Sequence, residues 1–186
     1  MNASSSHLSS SEGSSIMTSR LPELQGEGLE ICTAIGVLTL AAVSLEKSLV
    51  NLLSALGKIS FERSRSLFYS TVSAKARLDM TRSQIEHSGV PDGVKRAATK
   101  ALDKAKKLTD RRNEIIHGDI QTNTLGRFTL TSRMTATAKP IRQRLITSSE
   151  VWELADEYAT LFDYMDELSS DISFPLMRNS WTGKYP

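Results

Sequence analysis

Arg112, Asn113 and His117 lie in the stretch RRNEIIHG, residues 111 to 118. Their chemistry fits the cleavage of a phosphodiester. An arginine fork can hold the scissile phosphate and stabilise the negative charge added in the transition state. A histidine can take the proton from a ribose 2′-OH or give one to the leaving 5′ oxygen. Asn113 can orient either partner. The nucleophile then belongs to the substrate, so neither a metal nor a cofactor is required. The products expected from single-stranded RNA are a 2′,3′-cyclic phosphate and a 5′-OH end.

The spacing constrains how these groups can meet. Asn113 and His117 are four residues apart and share a helix face. Arg112 and His117 are five apart, which is about 140° around the axis, so they are poor partners within one helix. Across a two-fold axis, residues from two copies can converge on one groove. A homodimer with these helix ends in proximity is therefore expected. A histidine at a helix C-terminus suits the dipole, and Gly118 suits the turn that ends the helix. The plainer alternative is structural: Arg112 pairs with Glu46 or with an acid of the last helix, and His117 merely caps.

Four helices must position this stretch. The first is predicted from about Gly28 to Leu56. Ile31, Ile35, Leu38, Ala42, Leu45, Leu49, Leu52 and Leu56 form one stripe of alternating four-three spacing. Leu40, Val50 and Leu53 widen the stripe, as expected of a central helix, and Gly57 fits a left-handed cap. The second helix is predicted from Phe61 to His87 behind a Ser60 cap, with Leu67, Thr71, Ala74, Leu78, Thr81 and Ile85 inward. HSGVPDG interrupts it. The third is predicted from Gly93 to Ile116 along Val94, Ala98, Ala101, Ala105 and Leu108. Continued, that line meets Arg112 and then Ile115, and an arginine on a buried stripe needs a partner or a polar cavity. Thr147 and Glu150 form a capping box before a fourth helix, Ser148 to about Leu168, with Val151, Ala155, Tyr158, Phe162 and Met165 inward.

Between the last two helices, RFTLTSRMTATA alternates by two and carries several threonines, which predicts a short hairpin or extended arm; Pro140 argues against a central strand there. The expected fold is all-α: an antiparallel four-helix bundle with that insertion at about 120–145. The domain should span 26–172. Residues 1–25 form a Ser-rich tail, with nine serines among the first 19 residues, too few apolar groups to offset ordering entropy. Residues 173–186 form a second tail, in which Phe174, Leu176 and Trp181 are expected to pack back in part.

Composition narrows the chemistry. Cys32 is the single cysteine, which excludes a disulfide framework and a zinc-type cysteine pair; it is expected to be a buried helix residue in a reducing, cytoplasmic setting. No Gly-rich phosphate loop or dinucleotide fingerprint occurs. The longest apolar run, AIGVLTLAAV, is short for a bilayer span and late for a signal peptide. Net charge is only +2, but it is segregated: Val94 to Arg112 holds eight Lys or Arg and two Asp, whereas Ser148 to Ile172 holds eight acids and no base. The two helices can attract each other, or the basic one can meet phosphate backbones. Lys104, Lys107, Arg111, Arg127 and Arg133 are the candidate RNA contacts, with Lys139, Arg142 and Arg144 adding charge on the insertion.

A long helical hairpin, a third helix ending in RNEIIHG and a closing fourth helix together resemble the HEPN superfamily over roughly residues 28–170. Its signature is an arginine, often followed by a polar residue, and a histidine after four to six intervening positions; here these are Arg112, Asn113 and, after Glu114 to Ile116, His117. The resemblance implies a metal-independent ribonuclease acting as a dimer, in a toxin–antitoxin, abortive-infection or anti-phage setting, with a cognate antitoxin or defence partner. One branch has a tyrosine two positions after the histidine, which a partner modifies with AMP. Asp119 stands there instead, so control by binding is expected. The alternative function is a non-catalytic helical dimer serving as an RNA-binding or protein-binding adaptor or immunity component.

Overall fold

The computed structural model describes residues 25–132 and 143–175. Within them the chain is mainly helical, with five helices and one small antiparallel sheet: α1 (Glu27–Gly57), α2 (Phe61–Ser70), α3 (Ala74–His87), α4 (Asp92–Ile116), β1 (Asp119–Thr122), β2 (Phe128–Thr131), β3 (Gln143–Leu145) and α5 (Ser148–Ser173). The Ser-rich segment, Arg133, Lys139, Pro140, Arg142, Leu176 and Trp181 lie outside the described residues.

α1 and α5 form the main packing pair, and they run parallel where the expected antiparallel bundle opposes them, because the segment between α1 and α4 doubles back as two helices instead of one. Glu27 accepts from the Ser148 backbone N–H at 2.6 Å near one end, and Asn51 donates to Asp166 at 3.0 Å near the other. The expected inner stripes carry this contact. Ile31, Leu38, Leu45, Leu49, Leu52 and Leu56 of α1 are buried, as are Val151, Ala155, Tyr158 and Met165 of α5. Ile35 and Ala42 are partly buried against the same core. α4 contributes its small-residue line, Val94, Ala98, Ala101, Ala105 and Leu108, which lets it approach closely.

The segment expected as one helix, 61–87, is two. α2 returns along the C-terminal half of α1, and α3 then runs back toward the α1 C-terminus: Arg77 reaches Glu46 at 2.9 Å and Gln84 lies against Gly57. The break has a local cause. The Ser70 and Thr71 hydroxyls both donate to the Leu67 carbonyl, competing with the helical ladder. Ser73 then caps α3 by accepting from the Ala76 N–H at 3.1 Å. Arg77 Nε donates to the Thr71 carbonyl left over. The expected inner line therefore holds only for Leu78, Thr81 and Ile85; in α2 Phe68 is buried and Leu67 is 45% exposed. Because α2 and α3 are short, one side of the N-terminal half of α1 is left uncovered among the described residues. Leu40, expected in the core, is 70% exposed, and Cys32, also expected to be buried, is exposed.

The insertion is a three-stranded sheet, ordered β1-β2-β3 and antiparallel throughout. Asn123 organises its first turn: its side-chain oxygen accepts from the Leu125 and Arg127 N–H groups, and Gly126 takes φ +72°. The sheet grips the end of α4. Leu130 is fully buried beneath Gly118. Arg144 of β3 bridges Glu114 of α4 and Glu150 of α5, at 3.2 and 2.7 Å. Half of the expected capping box is present: Thr147 accepts from the Glu150 N–H at 3.3 Å, while the Glu150 carboxylate is on Arg144.

Two glycine expectations change. The left-handed residue after α1 is Lys58, at φ +50°, rather than Gly57. Gly118 is not left-handed; it is required by close approach. A Cβ there would stand 2.4 Å from Leu130 Cδ1 and 2.6 Å from the Glu114 carbonyl oxygen. Leucine's methyl can move, but a helix carbonyl cannot. Gly118→Ala should therefore cost about 1–3 kcal/mol by overpacking. Urea unfolding will check this, and an unchanged midpoint would contradict the tight contact.

Candidate functional site

The C-terminal turn of α4 carries Arg112, Asn113 and His117. Asn113, expected to share a face with His117, instead meets Arg112, because His117 is the cap residue beyond the last helical turn. Arg112 and Asn113 line a cavity of about 260 Å³ between α1, the α2–α3 turn, α4 and α5, together with Glu46, Arg77 and Tyr158. His117 does not line it. His117 is exposed at the helix end, where its backbone N–H donates to the Asn113 carbonyl at 3.0 Å. No hydrogen bond to its ring occurs among the described residues.

Arg112 is the unusual group. It is half-buried; its Nη1 donates to Asn113 Oδ1 at 3.1 Å, and its Nε is buried without a hydrogen-bond partner. Both kinds of carboxylate available to it are held elsewhere. Glu46 takes Arg77. In α5, Glu157 takes Lys104 and Arg111 together. Burial works against the Glu157 carboxylate, but these two cations outweigh it and hold its pKa below the ordinary value. Among the described residues, Arg112 thus stands beside a cavity with an amide as its one hydrogen-bond partner. A guanidinium in that state has donors to spare for an anion.

Arg77 has the opposite character. It is spent on Glu46 and the Thr71 carbonyl, and its guanidinium lies 5.2 Å from the ring centres of both Phe68 and Tyr69. It shapes the cavity wall. The sequence carries no signal for this role, because its partners lie in α1 and α2. Tyr158 forms another wall. It is only 2% exposed; burial pushes its phenol pKa up, against the smaller opposing effect of the nearby Thr109 hydroxyl. So deep a phenol is unsuited to modification by a partner enzyme. Asp119 begins β1, opposite Thr131.

The five candidate RNA contacts fall into three groups. Lys104 and Arg111 are engaged with Glu157, so the attraction between the basic and acidic helices accounts for them. Lys107 and Arg127 are exposed and make no ion pair among the described residues. Arg133 lies outside those residues. Arg144 is also committed; the bond to Glu150 is the main reason its pKa is raised. Among the described residues no three His, Cys, Asp or Glu side chains converge to hold a metal.

If Arg112 served stability through an ion pair, removing it would leave a buried carboxylate and destabilise the fold. Here there is none to strand. Arg112→Met should leave the thermal midpoint unchanged or raise it, since a partly desolvated charge is replaced by an apolar chain of similar length. Differential scanning calorimetry measures this, and a fall of several degrees would mark Arg112 as a structural residue.

No family model, curated protein or solved structure matches this chain.

Proposed function

We propose that this chain is a HEPN-like, metal-independent endoribonuclease that cleaves single-stranded RNA to 2′,3′-cyclic phosphate and 5′-OH ends. The observation that carries this reading is Arg112: a half-buried guanidinium on a cavity, with a buried Nε lacking a partner and every nearby acid already held. In this reading Arg112 binds the phosphate and its developing charge, His117 moves the proton, and Asn113 orients the guanidinium it already touches. Lys107 and Arg127 supply backbone contacts. The four-helix organisation belongs to the proposal too, with α2 and α3 together in the place of a single second helix. His117 stands outside the Arg112 cavity, so the working site takes Arg112 from one copy and His117 from the other, in a homodimer. Toxin–antitoxin or anti-phage defence in the cytoplasm, under a partner acting by binding, is the matching setting.

The second reading is a non-catalytic adaptor or immunity component. The observation in its favour is that Lys104 and Arg111 are neutralised by Glu157, which removes two of the expected RNA contacts.

Incubation with end-labelled RNA in EDTA separates the two. Wild type should cleave, and Arg112→Ala and His117→Ala should each lose about 10²–10⁴ in rate while remaining folded. Mixed dimers of the two variants should regain one intact site. Equal cleavage by all three proteins, or a strict need for Mg²⁺, would defeat the assignment. An inactive wild type whose association depends on Arg112 and His117 would favour the adaptor.

A further inference from the structure

We infer that the uncovered face of α1 is a self-complementary interface, on which a second copy of the chain packs its own α1 antiparallel. The contact follows from α1 alone and stands whether or not the chain cleaves RNA. α1 is apolar enough over its length to cross a bilayer, although only 28% of its most apolar window is buried within the chain. Counting uninterrupted apolar residues understates this, because serines, threonines and glycines interrupt the run without adding charge. The exposed residues are not scattered. Leu29, Thr33, Gly36, Leu40, Val43 and Lys47 are all exposed and follow alternating four-three spacing. That is the seam of a two-helix coiled contact. It lies beside the stripe already used against the core.

The sequence of that seam selects its partner. Paired antiparallel about a two-fold axis near position 38, Leu40 of each copy faces Gly36 of the other. Gly36 offers the matching hollow: a Cβ built on it meets nothing within 4 Å. Thr33 then faces Val43, and Lys47 faces Leu29 beside Glu30. Glu30 and Lys47 make no ion pair within the chain among the described residues, so each is available to the other copy. A parallel arrangement would oppose lysine to lysine and leave two glycines over a void. Charge and shape therefore agree on one orientation. Val43 also lines the Arg112 cavity, so the second copy covers one edge of the candidate site.

A bilayer is the weaker occupant. The opposite face of α1 is committed to the core, and its polar groups Glu46 and Asn51 are tied to Arg77 and Asp166. Inserting α1 would dismantle that packing.

Sedimentation of the full chain from low to high micromolar concentration tests the interface. Wild type should dimerise. Leu40→Arg should abolish association, as should Gly36→Leu, whose side chain enters open space in the monomer but blocks the partner's Leu40. Circular dichroism should show both variants still folded. Cross-linking then reads the orientation. In a Cys32→Ser background, Thr33→Cys with Val43→Cys should give a covalent dimer on oxidation, while neither single variant should. Within one chain those thiols are ten residues apart on a helix, about 15 Å, and cannot join. A dimer indifferent to both Leu40→Arg and Gly36→Leu would overturn the proposal, as would cross-linking by Thr33→Cys alone. So would a strict monomer, whether it binds phosphatidylglycerol vesicles or dimerises only after residues 1–24 are removed, which would identify a bilayer or that segment as the occupant.

Discussion

The distribution of carboxylates over cations governs the upper end of this molecule. Glu46 is held by Arg77, Glu157 by Lys104 and Arg111, and Glu114 and Glu150 by Arg144. Each pair joins different elements, so the ion pairs also set how α1, α3, α4, α5 and β3 stand against each other. Individually such half-exposed pairs contribute about 0–1 kcal/mol. Their consequence for Arg112 is larger: every acid that could quench it is occupied. Moving Glu46 to Arg112 would strand Arg77, and moving Glu157 would strand Lys104 and Arg111.

The sheet fits the same account. An α-helix ends in carbonyls without intrahelical partners, and its last turn frays unless something holds it. Here Arg144 ties Glu114 to Glu150, and Gly118 settles onto Leu130. Both contacts fall within or beside the turn that carries Arg112, Asn113 and His117. The insertion thereby fixes the direction in which those side chains leave the helix. A loop of the same length would close the chain but leave the turn mobile.

Much of this was readable from the residues, within a physical limit. Period 3.6 locates an apolar face, and the inner lines of α1, α4 and α5 lie where Leu38, Leu45, Ala101, Leu108 and Met165 place them. Periodicity does not say which of two apolar faces is covered, and so Leu40 and Cys32 were expected inside. The break at Thr71–Ser73 was signalled by consecutive Ser, Thr and Val, but the stripe from Leu67 to Ile85 ran smoothly across it. Hydroxyl competition for the Leu67 carbonyl is a local energy that a hydrophobic pattern does not contain. For the candidate site, the oddity of Arg112 was visible on the α4 line. Its lack of a carboxylate was not, because it depends on where Arg77 and Arg111 found their partners. Gly118 was marked correctly as special but for a turn, whereas the cause is a neighbour from β2.

The two unusual features of the chain meet at Val43. That residue is 58% exposed on the uncovered seam of α1 and also lines the cavity of Arg112. A cation beside an open cavity is screened by water, and its attraction for a phosphate is correspondingly weak. In the proposed α1 dimer the partner's helix, with its Thr33 against Val43, would exclude water from that edge and strengthen the attraction, provided the guanidinium keeps its polar contacts. Asn113 supplies one such contact without neutralising the charge, which a carboxylate would do. In the proposed dimer, association through α1 and anion binding at Arg112 would be coupled: the first would increase the second, and by linkage an anion held at Arg112 would favour the associated state. An unspent arginine and an unspent apolar face each cost stability in the isolated chain, and both costs would diminish in the proposed dimer.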